Sequence, residues 1–288
     1  MVKLAFIGFG EAGQAFAQGL ELQPGIASAY DIKLNGGDAG DEVRAACDRF
    51  NVEATSSPEG ALTEADIVFC LVPTDQSVAG AEAGARHLKP GAIWLDGSSS
   101  SPGRKREAAA LVDAQRGHYV DMAIMAPVHP QLHRTPVLLA GQEAGQTLPR
   151  LEVLGMNARL AGAEVGEASA IKMVRSVLIK GIEAVTAECM LAARRAGVED
   201  AVLASLKRSD PQIDWAARSA YNLERMTTHG ERRAAELREV VSTLDELGLP
   251  SRMAAATALW EDQLGALGLE LGDGGLNERL DRVLTALE

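Results

Sequence analysis

The chain has 288 residues, of which 47% are apolar, 24% charged and only 4% aromatic, and it carries a net charge of −12 at pH 7. This is the balance of a soluble globular protein of one or two domains, not of a disordered chain or a disulfide scaffold. An acidic total argues against a nucleic-acid partner, whose phosphates are met by clustered Lys and Arg, although local basic spots can still take small anions.

Cys47, Cys70 and Cys189 are odd in number, far apart and in no metal-ligand spacing. They predict buried thiols in a reducing compartment and no metal site. The opening MVKLAFIGFG is unlike a secretory signal, and no apolar run approaches a membrane span. No membrane segment is expected, and the location expected is cytoplasmic.

Lys3 to Ile7 is a short apolar run followed by Gly8-Phe9-Gly10-Glu11-Ala12-Gly13 and a helix-like GQAFAQGL. Set between strand and helix, this G-x-G-x-x-G assigns each glycine a task. Gly8 makes the tight turn, Gly10 lets the backbone approach a pyrophosphate, and Gly13 lets helix and strand pack closely. The amides at the helix start, around Glu11 and Ala12, then face the phosphates with the positive end of the helix dipole. A second apolar run, Ile26 to Tyr30, ends in Asp31. An acid at this distance accepts the ribose hydroxyls of NAD, or else it is simply a turn residue before Asn35-Gly36-Gly37. Lys33, two residues on, is a cation able to tolerate the extra phosphate of NADP.

Further strand-like runs at Ile67 to Val72, Ala92 to Leu95, Tyr119 to Val120 and Val137 to Leu139 alternate with helical segments. Such alternation predicts a mostly parallel, doubly wound sheet. Ligands of these sheets sit beyond the carboxyl ends of the strands, which draws attention to Leu71-Val72-Pro73 and to Asp96-Gly97-Ser98-Ser99-Ser100-Ser101-Pro102. The serine run is either a ligand loop or a polar cap for the helix after Pro102. His129 and His133 are four apart with Pro130 between them, so a helical metal pair is excluded. They read as loop histidines, with His129 placed on the substrate side.

From Gly166 the pattern is helical to the end. Breaks near Gly197, Asp210-Pro211, His229-Gly230 and Gly248-Leu249-Pro250 divide it into about five helices. The first, through Gly197, places Ile171, Val174, Leu178, Ile182, Val185, Cys189 and Ala192 on one stripe, expected to be buried. Lys172, Arg175 and Ser176 share a face near its start, which is either solvated or receives an anion. Arg232 and Arg233 form a basic spot expected on a solvated helix start. The α/β part is assigned to residues 1–163 and the all-α part to residues 164–288.

Taken together, GFGEAG, the DGSSSSP loop, Ala126-Pro127-Val128 and the stretch GEASAIKMVRS resemble the β-hydroxyacid dehydrogenase superfamily, which includes 3-hydroxyisobutyrate and 6-phosphogluconate dehydrogenases. The helical part is similar to a branch labelled phosphogluconate-dehydrogenase-like. The resemblance implies an N-terminal Rossmann domain that binds NAD, or alternatively NADP, through Gly8, Gly10, Glu11, Ala12, Gly13, Asp31, Lys33, Val72 and Pro73. It also implies an all-α substrate domain that forms a homodimer.

The family's D-x-S-T-x-x-P loop falls on Asp96 to Pro102, with Ser99 in the threonine place and Ser98 expected to hold a substrate carboxylate. The family lysine falls on Lys172, the expected general acid and base. An asparagine usual four residues later is Ser176 here, preceded by Arg175, and the glycine pair after A-P-V is replaced by His129-Pro130. These departures widen the pocket and add a fixed charge suited to a second anionic group on the substrate. Two alternatives accompany a dehydrogenase of a small β-hydroxy acid: an imine reductase on the same scaffold, and a catalytically silent dinucleotide sensor.

Overall fold

The computed structural model describes residues 2–288, which divide into two compact units, one ending at Lys172 and the other running from Met173 to Glu288. The first unit is an eight-stranded sheet with helices. In chain order its elements are β1 (Leu4–Ile7), α1 (Glu11–Leu20), β2 (Ala27–Tyr30), α2 (Gly37–Arg49), β3 (Val52–Ala54), α3 (Pro58–Leu62), β4 (Ile67–Cys70), α4 (Ser77–Gly84), β5 (Ile93–Asp96), α5 (Pro102–Asp113), β6 (His118–Ile124), β7 (Val137–Ala140), α6 (Ala144–Val153) and β8 (Ala158–Gly162). The sheet order is β3-β2-β1-β4-β5-β6-β7-β8. All neighbours are parallel except β6 and β7, so the doubly wound expectation holds. The three-residue β3 has no counterpart among the runs read from the sequence, because only Val52 of its side chains is buried.

Strands covered on both faces read as continuous apolar runs, and β1, β4 and β5 are buried at every position. Alternate residues feed two cores. Leu4 and Phe6 join Phe9, Phe16 and Phe69 on one face, where Phe6 stacks on Phe69 with ring centroids 5.5 Å apart. Ala5 and Ile7 join Val68, Trp94 and Tyr119 on the other. Ser57 and Ser101 cap α3 and α5, each with proline at the start of the helix, an arrangement that satisfies an amide and presets the first turn.

The chain continues into α7 (Glu167–Ala196), α8 (Glu199–Ser209), α9 (Trp215–Glu246), α10 (Arg252–Gly265) and α11 (Leu276–Ala286). Two features of this helical unit differ from expectation. The first is the α7 stripe. Val174, Leu178 and Val185 are 50%, 64% and 57% exposed. The packed face carries instead Ala184, Ala187, Met190 and Leu191, against Leu223 and Met226 of α9 and Leu280 of α11, and Met173, against Leu237 and Val240 of α9. Small alanines and long methionines fill the close-packed side, which leaves the branched residues outside.

The second is the expected break at His229-Gly230, which lies inside the unbroken α9. Gly230 serves a helix crossing: a Cβ there would sit 2.2 Å from the Glu261 carbonyl oxygen, and one on Gly265 would sit 2.6 Å from the Glu231 nitrogen. Arg233, one turn further, is also not on a solvated start. It is 4% exposed, and its guanidinium pairs with Glu183 of α7 and, through Nε at 3.0 Å, with Glu261 of α10. Beside it Lys180 Nζ lies 2.7 Å from Glu236, and burial lowers the lysine pKa against the opposing pull of that carboxylate. Among the described residues, no helix is long and apolar enough to cross a membrane.

Gly230→Ala is expected to force α9 and α10 apart and lower stability by about 1–3 kcal/mol or more. Gly145→Ala, at a helical site with nothing within 4 Å of the new Cβ, is expected to raise it by roughly 0.5–1 kcal/mol. Thermal unfolding of the two variants checks the contrast, and equal effects would contradict the crossing.

Candidate functional site

The strands β1, β4 and β5 lie side by side, so their carboxyl ends deliver the glycine loop, Val72-Pro73 and the serine loop to one edge of the sheet. Each glycine of the first loop behaves differently when a Cβ is added. Gly8 has φ +83°, in the left-handed region, and its Cβ would meet the Leu71 carbonyl oxygen at 2.9 Å and Val72 Cγ1 at 3.1 Å. Gly13 would meet the Gly8 carbonyl oxygen at 3.0 Å, which shows how closely α1 is packed on the loop. Gly10, the N-cap of α1, would meet nothing within 4 Å. That open space before a helix N-terminus fits a pyrophosphate, with Glu11 and Ala12 in the first turn beyond it.

Asp31 braces this loop. Its Oδ2 accepts the Phe9 N–H at 2.9 Å and its Oδ1 accepts the Lys33 N–H at 3.0 Å. A carboxylate has about four lone-pair sites, so capacity remains for ribose hydroxyls. Asp31 is thus both a turn residue and a candidate ribose ligand. The Lys33 residue is exposed.

In the serine loop, three of the four hydroxyls are engaged internally. Ser98 gives both its N–H and its O–H to Asp96 Oδ1, at 2.9 and 2.6 Å, and is buried. It therefore has neither group free for the carboxylate expected there. Ser100 donates to the Thr74 carbonyl at 2.6 Å, and Ser101 caps α5. Ser99 differs: its Oγ lies 2.7 Å from Lys172 Nζ. This contact joins two residues expected in the site from separate motifs.

Asp96 itself is saturated. Besides Ser98 it receives the hydroxyls of Ser77 and Tyr119 on Oδ2, both at 2.7 Å, and Lys105 Nζ lies 3.0 Å from Oδ1. Burial alone would raise its pKa, but the Lys105 charge and these hydrogen bonds outweigh burial and hold it below the ordinary carboxylate value. Tyr119 is pushed well above the ordinary phenol value by burial and by the charges of Asp96 and Asp121, so it stays a donor.

At the other end of Lys172's segment, Asp121 Oδ2 accepts the N–H groups of Gly166 at 3.2 Å and Ser169 at 2.9 Å. It thereby caps the first turn of α7 from the neighbouring strand β6. Lys105, Asp121, Ser77 and Tyr119 were not among the residues singled out from the sequence. The signal available was two aspartates, each closing an apolar strand run, as in Trp94-Leu95-Asp96 and Tyr119-Val120-Asp121.

His129 is exposed in the loop after β6, preceding a cis peptide to Pro130. His133 is buried, with Gly19 and Gly155 packed over its ring, and burial followed by the Arg134 charge lowers its pKa. Arg175 and Ser176 follow Lys172 on α7, in the helical unit. Among the described residues, no group of three His, Cys, Asp or Glu side chains could hold a metal ion.

The model of the NAD binding domain of 6-phosphogluconate dehydrogenase matches residues 3–158. The chain belongs to the β-hydroxyacid dehydrogenase superfamily. A domain of unknown function, DUF1932, matches residues 193–264 of the helical part. A conserved hypothetical protein from Sinorhizobium meliloti 1021 is 36% identical, over 98% of this chain and 97% of that one, with a TM-score of 0.78.

Human mitochondrial 3-hydroxyisobutyrate dehydrogenase is 24% identical over 229 residues, which are 76% of this chain and 65% of that protein's length. A Mycobacterium tuberculosis 3-hydroxyisobutyrate dehydrogenase, described with L-serine, is 15% identical over 98% and 99% of the two chains, with a TM-score of 0.75. At that identity it shows the shared fold. The superfamily is one of NAD(P)-dependent hydroxyacid dehydrogenases, so this chain carries a nicotinamide-dinucleotide-binding domain.

Within this superfamily member, two glycine variants separate folding from binding. Gly8→Ala is expected to destabilise the sheet, since the new Cβ strains a positive φ and presses on β4's exit. Gly10→Ala is expected to fold normally and weaken NAD binding by about tenfold or more, because its Cβ occupies space left for the phosphates. Calorimetric melting and cofactor titration check both, and normal cofactor affinity in Gly10→Ala would contradict the cradle.

Proposed function

We propose that the protein is an NAD-preferring dehydrogenase that interconverts the alcohol of a small β-hydroxy acid and the matching carbonyl, with Lys172 as general base and acid. The observation that carries this is the 2.7 Å contact between Lys172 Nζ and Ser99 Oγ, beyond the carboxyl end of β5. It puts an amine beside the one serine hydroxyl of the loop that is not tied to the loop itself.

Gly8, Gly10 and Gly13, with the amides at Glu11 and Ala12, hold the pyrophosphate, Asp31 the ribose, and Val72 and Pro73 border the cofactor. The nicotinamide supplies the hydride acceptor when bound. Ser99 donates to the substrate carboxylate, a role that leaves Ser98 to shape the loop. The Lys172 amine takes the alcohol proton as hydride leaves the carbinol carbon, and in reverse the ammonium returns a proton to the forming alkoxide. A lysine acting near neutral pH needs its pKa brought below the ordinary value of about 10.4, by burial or by neighbouring positive charge. Arg175, exposed one turn along α7, supports a substrate with a second anionic group. Ser176 and His129 are assigned to that far end of the substrate.

NAD is preferred because the Asp31 carboxylate accepts ribose hydroxyls and repels a 2′-phosphate. The test is nicotinamide absorbance with both cofactors against β-hydroxy acids, their aldehydes and cyclic imines, including phosphorylated and dicarboxylic compounds. Turnover of an anionic hydroxy acid with NAD is expected. Turnover of imines alone would transfer the assignment to imine reduction, and tight cofactor binding with no turnover would favour a sensor. An NADP preference of about tenfold, about 1.4 kcal/mol, would show that Lys33 outweighs Asp31.

We also propose that the protein is a cytoplasmic homodimer assembled on the helical unit. The exposed stripe of Val174, Leu178 and Val185 supports this, since contiguous branched side chains gain from leaving water and symmetric pairs are the commonest assembly. Light scattering is expected to return twice the 30.3 kDa chain mass, and Leu178→Glu to return one chain. A single-chain mass for the unmodified protein would rule the dimer out.

A further inference from the structure

Two buried carboxylates stand side by side in the sheet. Asp96 and Asp121 are register partners between β5 and β6, and both are 0% exposed. Like charges opposite one another on adjacent strands repel, and burial removes the water that would screen them. Lys105 of α5, also 0% exposed, answers both. Its Nζ lies 3.0 Å from Asp96 Oδ1 and 3.6 Å from Asp121 Oδ1, and it donates to the Asp96 carbonyl at 2.6 Å.

Each carboxylate holds a different part of the candidate site. Asp96 fixes Ser98, the residue before Ser99, through two hydrogen bonds. Asp121 fixes Gly166 and Ser169, one turn before Lys172. The contact between Lys172 and Ser99 closes the circuit. The ammonium lies within 4 Å of both aspartates.

We propose that Lys105 is a positioning residue for the Lys172–Ser99 pair, its charge holding the serine loop and the first turn of α7 in register. The inference rests on the dehydrogenase assignment only where turnover is the readout. Without the ammonium, the two buried carboxylates lose the cation they share, and they part or one of them takes a proton. The charge count is −2 + 1 = −1 in the native cluster, −2 in Lys105→Met, and −1 again in Lys105→Met/Asp121→Asn. The amide oxygen in that double variant still accepts the N–H groups of Gly166 and Ser169.

The experiment compares kcat, cofactor affinity and crystal structures of these proteins. Lys105→Met is expected to lower kcat by about tenfold or more while NAD affinity stays within about twofold, and to regain activity at lower pH as a proton replaces the missing cation. Adding Asp121→Asn is expected to bring kcat back to within about threefold of the unmodified enzyme. A space-filling lysine would show neither the acid-side recovery nor the rescue. A folded Lys105→Met with kcat within about twofold of the original, or a loss that Asp121→Asn does not relieve, overturns the proposal.

Should Lys105→Met not fold, the charge-balanced double variant decides alone: folded and active supports the proposal, unfolded or inactive overturns it. If the unmodified protein turns over no hydroxy acid, the dehydrogenase assignment fails separately. The crystal structures then decide, since a Lys172–Ser99 pair that opens in Lys105→Met supports the positioning role and one that keeps its contact overturns it.

Discussion

The structure around the candidate site depends on a charge that cannot be left unpaired. Asp96, at the end of β5, and Asp121, in the middle of β6, are register partners on adjacent strands, and both are fully buried. Removing one partner of such a buried set costs about 3–5 kcal/mol, because the remaining charge has nowhere to go. Lys105 meets that demand from α5, and Ser77, Ser98 and Tyr119 fill the remaining acceptor positions of Asp96. Ser98, which helps satisfy Asp96, belongs to the serine loop, and Asp121 caps the first turn of α7.

The glycine loop adds a second, steric constraint that acts on the cofactor side. Gly8 and Gly13 are glycines because the protein itself leaves no room for a Cβ, whereas Gly10 faces open space. Gly10, set between the other two loop glycines and capping the N-terminus of α1, leaves room there for an anion. The chain carries a dinucleotide-binding domain, and Asp31 is tied to the Phe9 amide of the same loop.

Much of the fold was legible in the sequence, because turn glycines and strand ends are local signals. The first and second strands, the serine loop and the helical second half fall where periodicity and spacing put them. What was not legible depends on partners distant in the chain. The α7 stripe has a true helical period, yet periodicity cannot say which of two apolar faces packs inside one chain, and here alanine and methionine took that side. Gly230 looks like a helix stop, but the close pass of α10 gives a glycine another reason to be there. Arg233 looks like surface charge until Glu183 and Glu261 arrive from two other helices. Lys105 was hidden for the same reason, as one more polar residue on a helix whose counter-charges lie on two strands.

The proposed role of the Lys172 amine, moving a proton, is tested most directly by replacing the amine with a guanidinium. Lys172→Arg keeps a positive charge near Ser99 but cannot deprotonate near neutral pH. The account predicts that kcat on the hydroxy acid identified as substrate falls by about 10²–10⁴, the usual worth of a positioned general base, with NAD affinity nearly unchanged. Retention of more than about a tenth of the original kcat would contradict proton transfer through Lys172 and leave it the role of an electrostatic anchor.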